Sequence, residues 1–167
     1  GAVAEAAANI AGVAKVLVAD AECYNHQLAE NVSVKVAETG TSYSHILSAA
    51  TTTGKNFMPR VAALLDVNQV SDIIAVEGED TFVRPIYAGN AIATVRCSDV
   101  IKVVTVRTAA FDAAEEGGSA EVASMDAGDD AGISSFVGEE LTKSERPELT
   151  AASVVISGGR GMQNGDN

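Results

Sequence analysis

Apolar and polar positions along this 167-residue chain switch between a helical and a strand period. Residues 2–11 place Ala and Ile at helical spacing, and Gly12 supplies a C-terminal stop. Residues 15–19 (KVLVA) are a short apolar run of the kind buried on both faces of a parallel sheet. Residues 26–39 read as a second helix, although Val32, Val34 and Val36 alternate as a strand would. A strand is predicted over 43–49. Thr52 and Thr53 then offer N-caps to a helix through Leu65 that carries Phe57, Val61, Leu64 and Leu65 on one face. Pro59 is placed in its first turns, where a missing N–H matters least. Residues 71–76 (SDIIAV) complete a third parallel-type strand. Strand–helix–strand units repeated with short links predict a doubly wound α/β domain.

The second half loses its helical period. Segments 81–86, 90–96 and 99–108 are strand-like and separated by Gly, Asn, Ser and Asp. The last of them, DVIKVVTVRT, alternates in part, as an antiparallel strand with one wet face does. The expectation is therefore a Rossmann-like, doubly wound α/β sheet closed by an antiparallel meander. Residues 109–132 read as loop around one short strand near 119–125. Another strand is predicted at 135–141, a linker at KSERPELT with Pro147 as its stiff point, and a new strand at 154–157. The chain opens within a helix and stops just past a strand, so it reads as a piece of a longer protein. Its opening GAVAEAAANIAG lacks a basic lead and reads as helix rather than a signal or transit peptide.

Composition narrows the function classes. Hydrophobic residues make up 47% and aromatics 4% with no Trp, so the core must come from Ala, Val, Ile and Leu. A net charge of −12 argues against nucleic acid and against anionic membrane surfaces, both of which require a basic face. No apolar run approaches the ~20 residues of a membrane span. Eleven acids lie between Asp112 and Glu148, against Lys143 and Arg146, which marks a solvated stretch. Cys23 and Cys97 are far apart, as expected of two reduced thiols.

Candidate chemistry is sparse. In SVVISGGRG (153–161) a buried-type strand runs into paired glycines, which places backbone N–H groups where α/β folds bind phosphate. Arg160 adds a fork able to grip phosphate bidentately. A plain glycine turn with a surface Arg remains the competing reading. The SGG opening is shared with the ATP pyrophosphatase loop, but Gly161 and Met162 stand where Asp and Ser belong. TTTGK at 51–55 fails as a P-loop, since Ala49 replaces the first glycine and Asn56 the magnesium-binding Ser or Thr. His26 and His45 lack partners at metal-ligand spacing, and Asp129 and Asp130 read as solvated. Arg84 and Asn90, within TFVRPIYAGNAIATV, point to a structural turn or to a subunit or domain contact. Nothing supports acid–base or covalent catalysis.

The stretch GTSYSHILSAATTTGKNFMPRVAALLDVNQVSDIIAV resembles the α subunit of the electron transfer flavoproteins. So do DTFVRPIYAGNAIATV, GGSAEV, SSFVGEELTKSERPELT and VVISGGRG, in family order over nearly the whole chain. The resemblance implies that residues 1–146 are the family's N-terminal α/β domain without its first strand and helix. Residues 147–167 are then a linker and the first strand of a flavodoxin-like FAD-binding domain. It further implies a heterodimer with a β subunit that holds AMP. FAD would take electrons from acyl-CoA and related dehydrogenases and pass them to a membrane quinone oxidoreductase. That describes a redox carrier rather than an enzyme, in bacterial cytoplasm or mitochondrial matrix, with no nucleic-acid partner and no direct membrane insertion. Arg160 is the one FAD-contacting residue of the family that matches, with Ser157, Gly158, Gly159 and Gly161 forming its loop. After that glycine the family commonly has Leu-Lys-Ser-Gly-Glu-Asn, where this chain has Met162 to Asn167. Against this stand a nucleotide-binding enzyme of pyrophosphatase or stress-protein type, and a simple interaction domain.

Overall fold

The computed structural model describes residues 1–141, 149, 152 and 154–166. Helix α1 (Ala2–Ala8) stops before Ile10, which leaves the helix to form an antiparallel bridge with Glu116. Strand β1 (Lys15–Val18) lies parallel to β8 (Glu121–Ser124), with Lys15 opposite Glu121. A 3-10 turn at Glu22–Tyr24 and a left-handed Gln27 (φ 49°) delay α2 to Ala29–Gly40. Its buried residues include Ala29, Ser33, Ala37 and Gly40, a stripe at helical spacing that overrides the alternating valines.

Strand β2 (His45–Ala49) leads into α3 (Thr52–Leu64). The cap is Thr51 rather than Thr52 or Thr53: its hydroxyl accepts the Gly54 N–H at 3.2 Å. The buried face is Gly54, Met58, Val61 and Ala62, so the expected stripe is rotated, and Leu64 is exposed. Pro59 is the eighth residue of the helix rather than part of its first turns. Its missing N–H deprives the Lys55 carbonyl of a donor, which is tolerated because Lys55 and Pro59 both face solvent.

The predicted 71–76 strand is two strands. Asp72 is left-handed (φ 59°) and shifts the register, so β3 (Gln69–Ile73) joins a parallel sheet and β4 (Ala75–Val76) an antiparallel one. In that second sheet β4, β5 (Thr81–Ile86) and β6 (Ala91–Arg96) form the expected meander. Strand β7 (Lys102–Val106) does not extend it. It pairs in parallel with both β2 and β3 as the centre of a β2-β7-β3 sheet. The sequence pattern misled because Thr105 looks like a wet-face residue. It is fully buried, and its hydroxyl accepts the Asp72 N–H at 2.9 Å.

Two cores flank β7. Val103 packs with Ala37, Ile46, Met58, Val61 and Ala62 under α2 and α3. Val104 packs with Val70, Ile73, Phe82 and Cys97 toward the meander. Each fully buried side chain of this size is worth roughly 1.5–3 kcal/mol. The result is a mixed α/β fold with parallel and antiparallel sheets, three among the described residues.

Two predicted strands are absent. Residues 135–141 and 154–157 belong to no strand, and Val154, Val155 and Ile156 are exposed. A strand needs a neighbour to satisfy its backbone, and neither segment has one among the described residues. The linker around Pro147 lies outside the described residues.

A Cβ at Gly54 would sit 2.0 Å from the Ala49 carbonyl oxygen, so α3 approaches β2 only because this residue is glycine. Gly54→Ala is expected to destabilise the fold by about 1–3 kcal/mol. Urea unfolding checks this, and an unchanged midpoint would show that α3 yields freely.

Candidate functional site

The 157–165 loop takes its shape from short local hydrogen bonds. The Met162 N–H reaches the Gly159 carbonyl at 3.0 Å, closing a 3-10 turn at Arg160–Met162, and the Gln163 N–H reaches Arg160 O at 3.2 Å. The Asp166 N–H is held by Asn164 Oδ1 at 3.0 Å. Gly158 admits Met162, whose sulfur would lie 2.4 Å from an added Cβ, whereas Gly159 and Gly161 border open space. A concavity of about 430 Å³ is lined by Gly158, Gly159, Arg160, Met162 and residues 163–165. Arg160 stands exposed in it, at the start of the 3-10 turn. This arrangement can grip one phosphate-sized anion, and none of the other sequence candidates joins it.

A second cavity of about 350 Å³ lies at the carboxyl ends of β2, β7 and β3. Its lining includes Thr51, Lys55, Asp72, Arg107 and Thr108. Arg107 donates through Nε to Asp72 Oδ1 at 3.2 Å and through Nη2 to Asp72 Oδ2. This pair escaped sequence reasoning, since 35 residues separate its members; the Asp72 bulge brings them together. Lys55 is exposed at this rim, and Thr51 is already committed as a cap.

The other candidates are structural. His45 Nε2 contacts the Glu79 carbonyl at 2.6 Å and Nδ1 contacts Ser44 Oγ at 2.9 Å. His26 stacks on Phe136 with ring centroids 3.7 Å apart. Asp130 is exposed yet not merely solvated: it accepts Asn31 Nδ2 and the Gly132 N–H, each at 3.0 Å. Asn31, 4% exposed in α2, in turn accepts the Ala131 N–H at 2.9 Å, and the Tyr24 hydroxyl bonds the Ala127 carbonyl. The acidic segment is thus clamped along α2. Cys23 and Cys97 are free thiols. Among the described residues no cluster of His, Cys, Asp and Glu fits a metal, and no helix is long and apolar enough to cross a membrane.

These features define a mixed α/β protein with an exposed, arginine-bearing glycine loop. The sequence pattern of the electron transfer flavoprotein domain matches residues 1–130, and the chain belongs to that family. It is 67% identical over 167 residues to the electron transfer flavoprotein subunit alpha of Pseudomonas aeruginosa, covering 99% of this chain and 54% of the relative. It is 56% identical over 161 residues to the subunit alpha of Paracoccus denitrificans, covering 96% and 52%. The mitochondrial subunit alpha of Dictyostelium discoideum is 48% identical over 183 residues, covering 100% and 52%. The chain spans about half the length of the curated relatives it matches.

Among the described residues, three aspartates titrate below the ordinary aspartate range. Asp99 is held down by the Asn68 backbone N–H and side-chain amide, Asp130 by the Gly132 N–H and Asn31, and Asp80 by the Thr81 hydroxyl and Arg96. A depressed folded-state pKa contributes stability above the unfolded value, lost as pH falls through the folded one. The urea midpoint is therefore expected to drop as pH falls below about 4. Asp99→Asn should lower the midpoint at neutral pH and flatten that acid slope. An unchanged slope would remove Asp99 from the set.

Proposed function

We propose that this chain is part of the α subunit of an electron transfer flavoprotein, and that Arg160 binds a phosphate of FAD in the intact protein. The observation that carries the reading is the 67% identity to a subunit of that name across 99% of the chain. Residues 1–146 are then a Rossmann-like α/β domain, and 147–167 a linker and the opening of a flavodoxin-like FAD-binding domain. The partner is a β subunit carrying AMP. Electrons come from acyl-CoA and related dehydrogenases and leave to a membrane quinone oxidoreductase, in bacterial cytoplasm or mitochondrial matrix.

The residues fit part of FAD. Gly159 and Gly161 leave open space for a ligand to approach the backbone, and the exposed Arg160 guanidinium supplies the charge. A concavity of about 430 Å³ suits a phosphate and its surroundings rather than a whole flavin dinucleotide. FAD, when bound, supplies the redox chemistry. This chain's own part is to hold and orient the phosphate: the Arg160 fork offers two parallel N–H donors, and the turn offers backbone N–H groups. A carrier needs no general acid or base of its own.

The test uses the chain at the full length of its relatives, co-expressed with its β subunit. The purified complex should show a flavin spectrum that bleaches with an acyl-CoA dehydrogenase and its substrate. Arg160→Ala should weaken FAD binding about ten- to a hundredfold, the value of a charged hydrogen bond. Unchanged affinity would take Arg160 out of the site. A colourless complex that binds or hydrolyses ATP would overturn the carrier reading in favour of the pyrophosphatase-like one.

A further inference from the structure

The cavity of about 350 Å³ beside Arg107 takes no part in the flavin reading, and it shares no lining residue with the glycine loop. Its lining comes from the ends of all three strands of the parallel sheet: Ala50 after β2, Asp72 near the end of β3, and Arg107 and Thr108 after β7. The crevice outside the carboxyl ends of parallel strands is where open α/β sheets take ligands, because a rigid sheet there holds loops that are free to carry polar groups.

The polar lining consists almost wholly of donors. Lys55 is exposed, and its ammonium makes no ion pair or hydrogen bond among the described residues. Arg107 commits Nε and Nη2 to Asp72 and keeps Nη1 uncommitted. The Thr51 hydroxyl accepts the Gly54 N–H at 3.2 Å, so its own proton is still available to an acceptor. Thr108 adds a second hydroxyl. Among the described residues the lining has one carboxylate, Asp72, and Arg107 already neutralises it. Two cations and two hydroxyls therefore border one cavity in a chain of net charge −12.

Donors without acceptors suit a ligand rich in acceptor oxygens, and the excess of positive charge calls for an anion. Val106, Ala109 and Leu149 make the rest of the lining apolar, which gives a carbon skeleton a place behind those oxygens. A magnesium-chelated triphosphate does not fit. Asn56 stands where the metal-binding hydroxyl would be, and no free carboxylate lines the cavity among the described residues. We propose that this cavity binds a phosphate monoester directly, with Lys55 and the Arg107 guanidinium on its oxygens and the Thr51 and Thr108 hydroxyls completing the set. Arg107 is suited to this task because its grip on Asp72 already orients the guanidinium, so less side-chain freedom is lost on binding. The inference does not rest on the flavin reading.

The test dialyses the full-length chain, in the presence of FAD, against labelled inorganic phosphate and against ribose 5-phosphate. It compares wild type, Lys55→Gln, Thr108→Val and Arg160→Ala. Lys55 and Thr108 are exposed, so both variants are expected to keep the wild-type melting temperature within a few degrees. Lys55→Gln should weaken the ribose ester at least tenfold, and Thr108→Val several-fold without any change of charge. Arg160→Ala should leave this binding unchanged. Tighter binding of the ribose ester than of phosphate supports the monoester, and equal affinity overturns it in favour of the free ion. Wild-type affinity in Lys55→Gln, or no saturable binding of either probe at millimolar concentration, overturns the site and leaves the flavin reading intact. Loss of binding in Arg160→Ala alone overturns it too and assigns the phosphate to the glycine loop. A wild-type chain that takes the ribose ester but no FAD would overturn the flavin reading and leave this one standing.

Discussion

The fold depends on β7 being buried on both sides. Val103, Val104 and Thr105 are all fully buried, and the two valines anchor different cores. Threonine in such a place needs an acceptor or donor for its hydroxyl, and the Asp72 N–H supplies the donor. That bond exists because Asp72 is left-handed, which also bends the chain from the parallel sheet into the meander. One hydrogen bond therefore satisfies the centre of one sheet and fixes where the next begins. Arg107, one residue past β7, closes the same bulge from the other side through the Asp72 carboxylate. Because His45 pairs with Lys102, the sheet is closed by contacts distant in sequence, a topology that favours slow, cooperative folding.

A second constraint acts on the acidic segment after β8. Self-repulsion within it favours an extended course, and the buried amide of Asn31 holds that course against α2 through Asp130 and Ala131. The stack of Phe136 on His26 continues the attachment beyond the clamp. Net charge alone would describe this stretch as solvated loop. Hydrogen bonding to one buried side chain turns part of it into a fixed strap.

How far each element could be read followed the strength of its local signal. Strand β1, helix α3 and the hairpin were legible as elements, but β1 is not buried on both faces as its apolar run suggested, and the buried stripe of α3 is rotated. The place of strand β7 was not legible, because burial on both faces with one satisfied Thr imitates the alternation of a half-wet strand. The break at Asp72 was invisible, since Asp within SDIIAV carries no local sign of positive φ. Pairing partners fared worst: 154–157 has the composition of a buried strand, but composition does not supply a neighbour. The glycine loop was read as following a buried strand, and no strand directly precedes it among the described residues. The Arg107–Asp72 pair depends on tertiary contact and was not legible.

Locality also explains what kind of site this chain can carry. The loop around Arg160 is organised by bonds spanning two or three residues, so it keeps its shape without help from either core. Such a loop offers one guanidinium but cannot enclose a ligand, because enclosure requires a second wall and the exclusion of water.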